Sequence, residues 1–465
     1  DYKAGQNVTV SKTLTLYAAY KKLPYTVTFN NNNGTSTSKI YTSLTMYASK
    51  NQKVTLPDVP KVKGYTNLGW TTEKGETEPE YSAGDTVKIT KATQFYAVRR
   101  KSNYYTVSYY LGNGSTNAAY QKLTQTVEEG TVVTFAKVPA RTGYVNQGWS
   151  SKKNSEKATA KAKCTVNKNI TLYAVQKKAV QLTFHRCDGS TWQKTTLAKG
   201  SSYSLPGVRD AEGYTFMGWS TKPMQSVSPQ YEAEEKITVN GNVDLYAVVF
   251  NRTTETDLTE DQLPQVDIYK YKQVIFVGDS RTEFMENVLT GMGESATKNV
   301  KFVCSAGKGL DWFTTTGWAQ LYSIVQHDSN SILSKKTAVI FNFGVNDLSK
   351  SADYAEYYNW IAPQLKSKGC ELYFMSVNPV NRLMLPNAGR ADRSEAAVRS
   401  FNQYMKANLS SAYTYIDMYS YLKSTGYSFA SDHYGTGTVD DGLHYTTRTY
   451  KRIFAKCMDS LRVPA

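Results

Sequence analysis

The chain has 465 residues, too many for one small core, and its 40% apolar content is that of a globular protein. It has no run of eighteen apolar residues that would read as a membrane-spanning helix. Its five cysteines are scattered and show no metal-ligand or redox spacing, which argues against a disulfide framework or a zinc site. Most of the net charge of +16 falls before Val266 as dispersed lysines, with no basic helical stripe. That pattern argues against nucleic acid, and it suits either contact with anionic wall polymers or glycans, or simple solubility.

From the first residue onward the chain reads as an array of repeats. Gly64-Tyr65 with Gly69-Trp70 recurs as Gly143-Tyr144 with Gly148-Trp149, and again as Gly213-Tyr214 with Gly218-Trp219. Each unit opens on an alternating strand (Tyr25–Phe29, Tyr105–Tyr110, Gln181–His185), followed by a turn signal at Asn33-Gly34, Asn113-Gly114 or Asp188-Gly189. Each closes on a Tyr-Ala pair: Tyr96-Ala97, Tyr173-Ala174 and Tyr246-Ala247. Residues 1–23 match only the tail of a unit, so the natural protein is expected to extend upstream. The expected boundaries are units at 24–102, 103–179 and 180–250, then a linker at 251–268 rich in Thr, Asp, Glu and Gln. The repeated Trp and Tyr are expected chiefly as core anchors of small domains, with a glycan platform as the other reading. The 36 tyrosines of the chain fit such β-rich units.

After residue 269 the texture alternates strand and helix. Apolar runs at Gln273–Val277, Val300–Ser305, Thr337–Phe343, Glu371–Val377 and Thr414–Ile416 read as strands buried on both faces. Helices fit over Thr282–Leu289, Asp353–Ser367, Arg393–Ala407 and Thr446–Leu461. The chemistry-bearing motifs lie at strand ends or in the last loop, where open α/β sheets build their sites. Ser280 follows the first strand in a strand-to-helix turn, where its hydroxyl projects and its own N–H faces an oxyanion. Serine needs a base to become a nucleophile. His444 has Asp441 three residues earlier, so one ring nitrogen can be held by the carboxylate while the other faces Ser280. The Gly309 N–H and the Asn346 side-chain amide complete an oxyanion hole, with Gly307 an adjacent candidate for Gly309. Asp279 and Asp347 are expected to fix turns. Arg281 reads as a cation at a pocket mouth or a surface arginine, Trp312 as a pocket wall or core packing, and Asn378 as a rim residue. His433 is a weak rival to His444. No metal or cofactor is expected.

These motifs carry two resemblances. The Gly-Tyr…Gly-Trp and Tyr-Ala signatures resemble the Listeria–Bacteroides (internalin B-repeat type) module, which implies small β-grasp-like folds on a secreted or surface protein of a Gram-positive bacterium. Gly278-Asp279-Ser280, Gly307-Lys308-Gly309, Gly344-Val345-Asn346-Asp347 and Asp441-Gly442-Leu443-His444 together resemble the SGNH (GDSL-like) hydrolases. That resemblance implies a flavodoxin-like α/β/α domain over 269–465 and a serine esterase mechanism. The combined expectation is a surface esterase that removes small acyl groups, acetyl foremost, from carbohydrate or wall polymer. The alternatives are a lipase, thioesterase or acyltransferase with the same machinery, or an adhesin whose hydrolase domain is only a scaffold.

Overall fold

The computed structural model describes residues 2–19, 24–32, 39–224, 227–267, 270–328, 336–385, 393–431 and 440–461. The chain divides into two compact units, residues 1–177 and 178–465.

In the first unit, each repeat pairs its opening strand in parallel with its closing strand. Tyr25–Asn31 runs alongside Thr93–Lys101, with Phe29 opposite Phe95. Tyr65–Thr71 adds antiparallel to the closing strand, and its register slips between Asn67 and Gly69. That slip explains the Gly-Trp signature. Gly69 lies at φ +155°, and a Cβ there would stand 2.2 Å from the Tyr81 carbonyl, so only glycine fits the bulge. Trp70 next to it is fully buried and donates its indole N–H to the Pro57 carbonyl at 2.8 Å. Trp149 does the same to Ala136 at 2.6 Å. The repeated tryptophans are therefore core residues of these modules, whereas Tyr65 and Tyr214 of the same signature are exposed. The Asn33-Gly34 turn lies outside the described residues.

The second unit contains the third repeat and the α/β domain. Trp219 is again fully buried, with its indole on the Pro206 carbonyl at 2.8 Å. In place of the short helix that follows the opening strand in the first two repeats (Lys39–Thr42, Ala118–Gln121), the third has an extra strand, Thr191–Ala198.

The α/β domain is built on five parallel strands: β1 (Tyr271–Gly278), β2 (Val300–Cys304), β3 (Lys336–Asn342), β4 (Cys370–Met375) and β5 (Tyr413–Ile416), in the order β2-β1-β3-β4-β5. Side chains alternate along each strand, so each strand feeds two cores. Ile275, Val277, Val339, Phe341, Leu372 and Phe374 face one core. It is completed by α2 (Trp318–Asp328), α3 (Ser351–Ser367) and α4 (Glu395–Asn408). Val274, Phe276, Ala338, Ile340, Tyr373 and Met375 face the other, covered by α1 (Ser280–Met292), α5 (Met418–Thr425) and α6 (Thr447–Ser460). The result is an α/β/α sandwich of flavodoxin-like strand order. A short antiparallel pair, β6 (Phe429–Ser431) and β7 (Asp440–Tyr445), follows α5 and leads into α6. Among the described residues no helix is long and apolar enough to cross a membrane.

Of residues 251–268, expected as a linker, the described part, 251–267, forms a packed strap instead. Glu255 is buried and ion-paired to Arg452 of α6 at 2.9 Å, and the Ser428 and Thr449 hydroxyls donate to the same carboxylate at 2.5 Å. Leu263 and Val266 join the second core. The segment's polar composition concealed this, because the Glu255 and Asp257 carboxylates are satisfied by partners that lie far along the chain.

Candidate active site

Asp279 caps α1, its carboxylate accepting the Arg281 N–H at 3.0 Å. The cap closes the turn at the carboxyl end of β1 and makes Ser280 the first helical residue, so its N–H has no acceptor within the helix. Burial pushes the Asp279 pKa up to about 6, with the nearby Arg281 charge and the Arg281 amide pulling the other way. His444 lies on β7. Its Nε2 is 2.9 Å from Ser280 Oγ, and its Nδ1 is 2.5 Å from Asp441 Oδ2. Asp441 Oδ1 accepts the backbone N–H groups of Leu443 and His444 at 2.8 and 2.7 Å, which locks the carboxylate in place. Burial alone would raise the Asp441 pKa, but the imidazole bond and these amides outweigh it and hold it below its ordinary value.

The other two loops converge at the ends of the adjacent strands. Asn346 donates its amide to the Lys308 carbonyl at 2.8 Å, which places it beside the Gly309 peptide. Gly309 is backed by Asp347: a Cβ there would stand 2.4 Å from Asp347 Oδ2, which accepts the Leu310 N–H at 3.0 Å. Glycine is therefore required for packing, and Asp347 holds the loop as expected. Tyr354 donates to the same carboxylate at 2.7 Å.

Two residues that the sequence did not single out also shape the site. Arg393 donates to Asn346 Oδ1 at 2.7 Å and to the Val345 carbonyl at 3.1 Å, so it fixes which way the Asn346 amide points. Phe284, one turn past Ser280, packs edge-on against the His444 ring with centroids 4.6 Å apart. A phenylalanine in a helix gives no local sign of such a role. The i+4 spacing from Ser280 was the available clue.

Arg281 is a correction. It is 2% exposed and points inward. Its guanidinium donates to the carbonyls of Leu443 (3.0 Å), Asn378 (2.9 Å) and Pro379 (2.9 Å), and it lies 5.2 Å from the Tyr445 ring centroid. It ties the loop after β4 to the strand bearing His444 and is neither a pocket-mouth cation nor a surface residue. Asn378, expected at the rim, is 1% exposed and sealed in beneath that clamp. Trp312 is half-buried against the core, 6.1 Å from the Phe343 ring. His433 lies outside the described residues. A cleft of about 480 Å³ opens beside His444 between α1 and α6, lined by Phe284, Val288, Met292, Tyr445, Tyr450 and Lys451.

A strand-end serine bonded to a histidine that a buried aspartate holds, on a 2-1-3-4-5 sheet, defines a serine hydrolase. Residues 274–457 match the GDSL-like Lipase/Acylhydrolase family, and residues 25–98, 105–175 and 181–248 match the Listeria-Bacteroides repeat domain. Residues 274–457 thus match a GDSL-like hydrolase domain, and they follow three matches to the Listeria-Bacteroides repeat. The chain is 28% identical over 237 residues to a protein of Evansella cellulosilytica named as a Gly-rich membrane protein, covering 50% of this chain and 26% of that one. A second membrane protein by name from the same organism is 26% identical over 235 residues, covering 50% and 33%. The chain therefore spans about a quarter to a third of the length of these relatives. Among solved structures, an acylhydrolase of Bacteroides fragilis aligns at 16% identity and TM-score 0.28, covering 43% of this chain and 92% of that one. An acetyl xylan esterase aligns at 10% and 0.29, covering 41% and 100%. None of these likenesses is close enough to speak for substrate.

Proposed function

We propose that the chain is a cell-surface esterase that removes small acyl groups, acetyl foremost, from carbohydrate or wall polymer through Ser280, His444 and Asp441. The observation that carries the reading is the continuous hydrogen-bonded line from Ser280 Oγ through the imidazole to the Asp441 carboxylate. In this mechanism Ser280 Oγ attacks the ester carbonyl while its proton passes to His444 Nε2. Asp441 keeps Nδ1 protonated and stabilises the imidazolium. The Ser280 and Gly309 N–H groups and the Asn346 amide receive the developing oxyanion. His444 then returns the proton to the departing alcohol, and water releases the acyl group by the same steps in reverse order.

The surface setting is supported by the repeats and by the names of the Evansella relatives, and the acetylated-glycan substrate follows from that setting. A lipase or thioesterase reading has one specific point in its favour, the apolar wall that Phe284, Val288 and Met292 give the cleft beside His444. Hydrolysis of p-nitrophenyl acetate and octanoate by the parent and by Ser280→Ala separates them. Cleavage that favours acetate and falls by about 10⁶ in Ser280→Ala supports the proposal. A preference for octanoate moves the substrate to lipid, and a Ser280→Ala variant within tenfold of the parent refutes the mechanism.

A further inference from the structure

The third repeat shares a compact unit with the hydrolase domain, and the contact between them leads to the catalytic strand. Asp210, in the third repeat, has a fully buried carboxylate. It is paired to Arg252 at 2.7 Å and accepts the Phe216 N–H at 2.9 Å. Its Oδ1 also accepts the Asn381 side-chain amide at 2.8 Å, and the same amide reaches the Val208 carbonyl at 3.1 Å. Asn381 belongs to the loop after β4. Its Oδ1 accepts the Leu383 N–H at 3.2 Å, and Arg209 of the repeat donates to the Leu383 carbonyl at 2.6 Å.

On its other side, the backbone N–H of Asn381 donates to the Gly442 carbonyl at 2.8 Å. Gly442 stands between Asp441 and His444. It holds φ +68°, and a Cβ there would come within 2.4 Å of the Asn381 carbonyl. The two backbones are thus pressed together at the residue that sets the spacing of the acid and the base, in a conformation that glycine alone adopts without strain. The chain of contacts runs from Asp210 through Asn381 to Gly442, and so to Asp441 and His444.

The rest of the interface is broad enough to hold this contact rigidly. Thr215 donates to the Tyr427 carbonyl at 2.8 Å. The Phe250 ring lies against Gly426. Met217, Val248 and Phe250 are part of the same buried core as β1, α1 and α6. Lys423 of α5, almost wholly buried, donates to the Met217 carbonyl and pairs with Glu232 at 2.8 Å.

We infer that the third repeat is a working part of the catalytic centre, and that Asp210 and Asn381 are positioning residues that hold the Asp441–His444 strand in register with Ser280. The inference rests on the proposed Ser280 mechanism. It assigns the third repeat a role distinct from that of a spacer, and it gives the first two repeats no such role. A misplacement of about 1 Å at a catalytic group is enough to lower turnover about a hundredfold, and two interlocked backbones with one fixed side chain set tolerances of that size.

The test is made on the full 465-residue chain with Asn381→Ala, Asp210→Ala, the double variant, Asp210→Asn and Thr215→Val. The readouts are kcat and KM for p-nitrophenyl acetate and the rate at which a fluorophosphonate labels Ser280, with Ser280→Ala as the control. Asn381→Ala is expected to lose ten- to a hundredfold in kcat and in labelling rate, with KM within twofold. Asp210→Ala should match it in kcat, and the double variant should lose no more kcat than either single, since each single already breaks the Asp210–Asn381 contact that reaches the catalytic strand. Asp210→Asn keeps an acceptor for Asn381 and should recover to within threefold of the parent. Thr215→Val removes the bond to the Tyr427 carbonyl and one Arg252 contact while Arg252 keeps its pair with Asp210, so it loosens the same interface without breaking the Asp210–Asn381 contact and should retain the parent's kcat. Should Asn381→Ala not fold, Asn381→Ser, which is too short to reach Asp210, takes its place. Parent-like kcat in both Asn381 and Asp210 variants, with Ser280→Ala inactive, overturns the positioning role alone. A Ser280→Ala variant that keeps activity overturns the mechanism and the inference together. Equal losses in Thr215→Val and Asn381→Ala would show general interface stability and also overturn the inference.

Discussion

Arg281 provides the sharpest quantitative test, because its sequence and its structure point in opposite directions. Replacing it with methionine keeps much of the side-chain volume and removes the guanidinium from three buried carbonyls, those of Leu443, Asn378 and Pro379. The Pro379 carbonyl keeps the Tyr445 hydroxyl as a donor, so two carbonyls are left without one; at about 1–3 kcal/mol each, the gross loss is about 2–6 kcal/mol. Against this stands the desolvation of a guanidinium that is 2% exposed, worth several kcal/mol once the charge is gone. The partners left behind are neutral carbonyls rather than a bare charge, so the net destabilisation should be about 1–3 kcal/mol. Urea denaturation followed by residual esterase activity reads it directly. With a slope of about 1–3 kcal/mol/M, a loss at the upper end of that range, about 3 kcal/mol, lowers the midpoint by about 1–3 M. Arg281→Lys keeps the charge but not the planar fork, so it should fall between the parent and Arg281→Met. A midpoint within 0.3 M of the parent, together with a changed preference between neutral and anionic esters, would refute the buried-clamp reasoning and restore the pocket-mouth role.

Two further outcomes follow from the site. Asn346→Ala should lower kcat by about 10²–10³ with KM little changed, because an oxyanion donor acts only as charge develops; activity within tenfold of the parent would remove Asn346 from the oxyanion hole. Asp279, held up at about 6 against an ordinary 3.8 by its burial, keeps its proton in the folded state through a range where the unfolded chain has lost it. Its contribution to stability is therefore present below about pH 4 and lost as pH rises to about 6, by about 3 kcal/mol. Comparing urea midpoints at pH 4.5 and 7.5 for the parent and Asp279→Asn checks the sign: the parent should lose more than the variant on going to the higher pH, and equal changes would refute it.

Much of this protein was legible from local pattern. The five strands announced themselves as apolar runs because each is buried on both faces by helices, and the Gly-Trp spacing recurs because each repeat needs a bulge beside its single buried indole. Ser280, Gly309, Asn346, Asp441 and His444 stood out because strand ends leave few places for such residues, and the ordered set had to share one edge of the sheet. The helices Trp318–Asp328 and Met418–Thr425 were less visible. The first runs on without a break from the helical turns over 310–317, and the second is separated from β5 by one residue, so no loop in the sequence marks where either begins.

The sequence by itself determined the repeats, the class of the catalytic domain and the identity of the residues that meet at its centre, since each leaves a signature within a few positions. Only the tertiary structure decided that Arg281 turns inward, that residues 251–267 are a strap, and that the third repeat grips the loop beside Gly442. The physical reason is separation along the chain. Arg281 finds its carbonyls 97 to 162 residues away, Asp210 meets Asn381 at 171, and Thr215 meets Tyr427 at 212. Backbone carbonyls, which every residue carries, are the partners in most of these contacts, so nothing in the local sequence marks where they will be.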